Sequence, residues 1–123
     1  QQLLQSFGIG WTLMKQFFLL LMVSGMLITT AHAMTWEDYQ ARKDERCIKF
    51  YIAGVGAGYY YTNHYLDTAG RSKLYCQPSS ANLQGEMYST ILDAYANSSG
   101  IRLKGISVEI ILLQALVELY PCK

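Results

Sequence analysis

The sequence predicts an all-α fold: a small three- to four-helix bundle, disulfide-stapled, behind a removable N-terminal signal peptide. Three observations predict it. Apolar residues recur at helical spacing in three separate stretches. Residues 14–33 have the layout of a secretion signal. Three cysteines then fall in a chain bound for an oxidising compartment.

The signal reads MKQFFLLLMVSGMLITTAHA. Met14 can start a chain and Lys15 supplies the positive end. Phe17 to Ile28 is the apolar run, and Ala31-His32-Ala33 is a small-x-small cleavage site. A membrane anchor is the rival reading. It needs about 20 apolar residues, and Lys15 and Gln16 stop this run from extending back to Trp11. Residues 1–13 contain no methionine and read as an upstream segment outside the fold. The domain is therefore expected over 34–123, with no membrane association once the signal is cleaved.

A domain of 90 residues holds one core and benefits from a staple. Removing Lys15 from the ten basic residues leaves nine against nine acidic ones. The basic residues Arg42, Lys43, Arg46 and Lys49 alternate with Asp38, Asp44 and Glu45. Such mixing argues against a phosphate-tracking stripe and hence against nucleic acid as a partner.

The first helix is expected to start behind Thr35, a capping residue with Asp38 three positions on. Ile48, Tyr51, Ile52, Val55 and Tyr59 continue it as one apolar stripe to about Tyr65. Thirty helical residues would span about 45 Å, more than a domain of this size. A break is expected at Gly54-Val-Gly56-Ala-Gly58. Residues 68–80 form the longest connection. Leu83, Met87, Ile91 and Tyr95 define a second helix from about Leu83 to Ala96, with Ser79, Ser80 or Asn82 as cap. Asn97-Ser98-Ser99-Gly100 ends it. Ser107 is the expected cap of a third helix reaching Tyr120 and stopping at Pro121. That helix is apolar nearly all round, which predicts a homodimer interface, with Leu112 among the outward positions.

Each candidate site has a plain competitor. The glycine cluster lacks the third glycine of a dinucleotide loop and the G-K-[ST] of a phosphate loop. Close helix packing or a kink explains it better. His64 is the one histidine of the mature chain. With no second ligand set and no G-x-S-x-G, it supports neither a metal site nor a hydrolase. No catalysis and no cofactor are expected. Cys76 precedes the second helix and Cys122 follows the third, so an up-down layout puts both at one pole. The expected disulfide is Cys76–Cys122. Cys47–Cys122 is the alternative, and a leftover Cys47 would be buried or paired across a dimer.

The ordered set Cys47-x-x-x-Tyr51-Ile-Ala-Gly54-Val-Gly56, then Leu74-Tyr-Cys76-x-Pro78, then Leu112 to Leu119 closing on Tyr120-Pro121-Cys122, resembles the Rap/Tai-type immunity family. The resemblance covers about residues 36–123. It implies an all-helical, often dimeric periplasmic protein, itself without enzymatic activity. Such a protein binds and inhibits a peptidoglycan amidase effector of a type VI secretion system. Tyr51, Gly54, Gly56, Pro78 and Pro121 are the framework positions it carries over.

The residues themselves add candidate contacts. Tyr61, His64 and Tyr65 lie in an aromatic stretch, and Arg71 and Lys73 lie on the polar connection anchored at Cys76. Rigid aromatic groups dominate interface energies; the plain reading is that these tyrosines only cover the core. A periplasmic stress module of the holdase kind, exposing its third helix under stress, is the alternative function.

Overall fold

The computed structural model describes residues 32–123. The 1–13 segment and nearly all of the signal expected over 14–33 lie outside the described residues. Four helices follow in order: α1 (Trp36–Arg42), α2 (Arg46–Thr68), α3 (Met87–Ser98) and α4 (Val108–Leu119). Among the described residues the only β pairing is an isolated bridge between Thr35 and Ser107.

Helix α1 starts where its cap predicts. The Thr35 hydroxyl accepts from the Asp38 N–H at 3.2 Å, and the Asp38 carboxylate answers at the Thr35 backbone. This is a capping box with aspartate in the third position.

The break expected at the glycines falls instead at residues 43–45, and α2 runs unbroken through Gly54, Gly56 and Gly58. The cause is Tyr39. Tyr39 and Ile48 are both core residues, at 1% and 4% exposure. Nine helical positions apart, they would point to opposite sides of a continuous helix, about half a turn out of phase. A break between them lets both reach the core. Glu45 makes it, in extended conformation, with its carboxylate forked onto the Arg42 guanidinium at 3.0 and 2.9 Å.

The glycines have separate reasons. A Cβ on Gly56 would meet the Tyr88 ring at 2.3 Å, whereas Gly54 and Gly58 face open space. Gly56 is thus the close-packing glycine of the cluster. Helix α2 ends in a Schellman motif. Gly70 adopts a positive φ of 66°, its N–H reaches the Asp67 carbonyl at 3.0 Å, and the Arg71 N–H reaches Leu66 at 2.8 Å.

The second predicted helix starts four residues late. Gly85 has a φ of 51°, so the chain cannot be helical there, and α3 begins at Met87. Ser79, Ser80 and Asn82 are therefore not caps; Glu86 holds that position without a side-chain bond. Gly100, with a φ of 62°, follows the end of α3 as expected.

Ser107 holds the N-cap position of α4, but its side chain makes no capping bond. The backbone does the tying. Trp36 N–H donates to Ile106 at 2.9 Å and Val108 N–H to Met34 at 2.9 Å. The Glu37 carboxylate accepts from the Gly105 N–H at 3.1 Å, which lowers its pKa. The starts of α1 and α4 are thereby joined.

Helices α2, α3 and α4 pack on one another around Ile48, Ile52, Leu92, Val108, Ile111, Leu112 and Leu116. Leu112, expected to face outward, is fully buried; Ile110, Val117 and Leu119 are the exposed apolar positions of α4. Tyr39, Tyr75, Tyr88 and Tyr95 complete the core.

The Cys76–Cys122 disulfide is present, its Cα atoms 4.9 Å apart. The Cys76 N–H donates to the Tyr120 carbonyl at 2.7 Å beside it. The up-down layout places the entry of α3 and the exit of α4 at one pole, with Pro121 leading the tail into the bond. Cys47 is free and exposed, not buried, with its thiol 3.4 Å from Glu45 in the first turn of α2.

Candidate binding surface

The second half of α2 carries two sets of polar-tipped residues. Tyr61 and Tyr65, four positions apart, point away from the core at 69% and 68% exposure. Tyr60, His64 and Asp67 fall at i, i+4 and i+7 on a different face. They look toward the segment that leads into Cys76.

That segment is held by Asn63. Its amide nitrogen donates to the Tyr75 carbonyl at 2.8 Å and its oxygen accepts from the Leu74 N–H at 2.7 Å. Asn63 is itself buried, at 8% exposure, and both ends of its amide are used. This clamp and the Schellman turn tie down the two ends of the polar connection expected to follow α2. Lys73 adds an ion pair with Asp67 at 3.2 Å.

Between α2 and the 73–88 stretch lie two adjoining hollows. One, of about 150 Å³, is lined by Tyr60, His64, Asp67, Lys73, Tyr75 and Gln77. The other, of about 740 Å³, has walls that include Ala53, Ala57, Tyr61, Pro78, Leu83 and Tyr88. Tyr60 and Gln77 line both. The Tyr60 and Tyr61 rings meet edge to face, with centroids 5.5 Å apart.

Two polar atoms of residues that line the smaller hollow are buried without a partner: the Tyr75 hydroxyl and Gln77 Oε1. Burial, then the neighbouring Tyr88, Tyr120 and Tyr60 hydroxyls, push the Tyr75 phenol up to about 12. The Gln77 amide nitrogen is spent on the Ala81 carbonyl.

Of the sequence-predicted contacts, His64 and Lys73 meet in the smaller hollow and Tyr61 borders the larger. Tyr65 and Arg71 are exposed but line neither hollow. Tyr60, Asn63 and Gln77 were missed as site residues. The i, i+4, i+7 spacing of Tyr60, His64 and Asp67 was the available signal for the first; nothing local marks the other two. Among the framework positions, Tyr51 bonds the Glu109 carboxylate, which raises its pKa to about 12. The Tyr59 hydroxyl donates to the Glu109 carbonyl at 2.8 Å. These two tyrosines serve the α2–α4 contact, whereas Tyr60, Tyr61 and Tyr65 serve the surface.

Among the described residues no three His, Cys, Asp or Glu side chains gather as a metal site, and no helix is long and apolar enough to cross a membrane. Compared with family models, curated proteins and solved structures, the chain matches none.

Proposed function

We propose that this protein is an exported immunity protein. It binds and blocks a peptidoglycan amidase effector of a type VI secretion system in the periplasm, and is not itself an enzyme. The reading rests on the resemblance of the Cys47, Cys76 and Cys122 segments. The observation that best supports it is the placement of Tyr60, Tyr61 and Tyr65. Tyr61 and Tyr65, largely exposed, and Tyr60, half exposed on the neighbouring face, stand on one helix whose end is fixed by Gly70 and Asn63. Rigid tyrosines give large contact area at small entropic cost, the usual make-up of an interface hot spot.

Co-expression with an amidase toxin encoded beside this gene tests the proposal. Rescue from lysis is expected, and it should be lost in the Tyr61→Ala/Tyr65→Ala double variant while the fold is kept. Absence of both rescue and binding would refute it. The proposed homodimer uses α4, whose Ile110 and Val117 remain exposed beside the half-buried Leu113. Val117→Lys should then give monomer by light scattering. A wild type that is already monomeric at high concentration rules the dimer out.

The same exposed α4 residues favour the second reading, a periplasmic holdase-like module. It requires that acid treatment expose more apolar surface and suppress aggregation of a client protein.

A further inference from the structure

We infer that two copies of this chain pair along the outer face of α2, antiparallel, about a two-fold axis near residue 56. The inference rests on the homodimer proposed above and extends its contact from α4 onto α2.

Three features of α2 carry it. The first is charge. Between Lys49 and Asp67 the helix has no Asp, Glu, Lys or Arg, although one whole side of it faces solvent. A helix side turned to water normally carries charge. The second is area. Phe50 is 70% exposed, and Tyr51, Tyr61 and Tyr65 stand on the same side at 40, 69 and 68%. At about 200 Å² for a whole aromatic residue, these four present about 500 Å² per copy. A pair would cover about 1,000 Å² with these rings alone, the least that a specific interface between proteins buries. Tyr51 bonds Glu109, so Ile110 beside it continues the apolar surface onto α4 toward Val117.

The third feature is order. Cys47, Phe50, Gly54, Gly58, Tyr61 and Tyr65 follow at intervals of three, four, four, three and four, the spacing of a helix-pairing seam. About residue 56 the row reads alike from both ends, with glycine at 54 and 58 and a ring at 51 and 61. A contact between identical copies is self-complementary in this way. Gly54 and Gly58 meet nothing within 4 Å in the chain itself. Glycine weakens a helix interior, and the close approach it permits here is open only to a second chain. Laid antiparallel, Gly54 faces Gly58 of the second copy, the Phe50 and Tyr51 rings face Tyr61, and Cys47 faces Tyr65. The two helix dipoles then oppose each other. Tyr61 and Tyr65 are also the proposed contacts for the amidase, so a copy is either paired or partner-bound through them.

The test uses the purified protein with its disulfide formed. Sedimentation velocity over a concentration series gives the dimer dissociation constant. Gly54→Leu puts a better helix former into space that is open in the single chain, so it keeps the fold while blocking the helix contact. At least tenfold weaker dimerisation is expected, with a thermal melt as the check on folding. Register is read by copper-catalysed oxidation. Tyr65→Cys should give a covalent dimer through Cys47 of the second copy, lost in Tyr65→Cys/Cys47→Ser. Wild type should give none, because antiparallel pairing holds the two Cys47 residues about 27 Å apart, far beyond disulfide reach. A dimer unaffected by Gly54→Leu confines pairing to α4 and overturns the inference while the homodimer stands. If Gly54→Leu melts low, the cross-link decides, and no link in Tyr65→Cys overturns the inference. A wild type linked Cys47 to Cys47 overturns it in favour of parallel pairing. A monomeric wild type overturns both the inference and the homodimer. None of these results depends on the amidase, which co-expression tests separately.

Discussion

Gly56 of α2 packs against the ring of Tyr88 of α3, so close that a methyl group at residue 56 would sit 2.3 to 2.5 Å from three ring carbons. Tyr88 is buried and cannot swing aside. Gly56→Ala is therefore expected to destabilise the fold by about 1–3 kcal/mol through overpacking. Gly54→Ala and Gly58→Ala meet open space in the same helix and should each stabilise it by about 0.5–1 kcal/mol. Urea unfolding of the three variants checks this. Equal effects at all three positions would contradict the packing assigned to Gly56.

Asn63 holds two backbone groups of a chain segment eleven and twelve residues away. Asn63→Leu leaves the Leu74 N–H and the Tyr75 carbonyl without their partner. A loss of about 1–3 kcal/mol per buried group is expected. Hydrogen exchange should show the Leu74 amide unprotected in the variant and protected in the wild type.

Thr35 and Ser107 look alike as capping residues in the sequence but do different work. Thr35→Ala removes a capping box and should cost about 1 kcal/mol. Ser107→Ala removes no capping bond, because the serine contributes through its backbone, and should be nearly silent. Thermal melts of the pair distinguish them; a Ser107 effect as large as that of Thr35 would be inconsistent with this assignment.

The core tyrosines make the fold sensitive to alkali. Burial, then Asp93, hold the Tyr39 phenol up to about 12, and burial does the same for Tyr75. Both are protonated in folded and unfolded chains below pH 10, so their contribution is intact there. Between about 10 and 12 the unfolded chain ionises first, and stability falls as pH rises. Melting temperatures measured from pH 9 to 12 should drop across that interval. Tyr75→Phe, which also removes an unpartnered buried hydroxyl, should flatten the drop.

The helices, the Thr35 cap and the disulfide were legible in the sequence because each is a local signal or a consequence of simple topology. The 43–45 break was not. It depends on Tyr39 being a core residue, and one tyrosine in a charged stretch carries no periodic mark of burial. The start of α3 was misjudged because the positive φ of Gly85 outweighs the apolar spacing of Leu83, which still packs on the core from outside the helix. The inward turn of Leu112 was hidden by a helix apolar on nearly every side. For the surface, the tyrosine stretch was visible as a cluster, but its division into Tyr51 and Tyr59 for α4 and Tyr60, Tyr61 and Tyr65 for solvent needed the helical phase. The Asn63 clamp joins a helix to a segment eleven and twelve residues on and left no local trace.

Under the proposed export, the backbone link between Met34 and Val108 bears on how the chain would be finished. Cleavage behind Ala33 would leave Met34 as the first residue. Its carbonyl is the one that receives the Val108 N–H, and the next residue is the Thr35 cap. The new amino end would then be a structural part with no spare length. Trimming two residues further would release the start of α4 and uncap α1 in one step. Imprecise processing would thus act as a folding defect at the opposite end of the chain, and further amino-terminal trimming would be read out as loss of the last helix's anchorage.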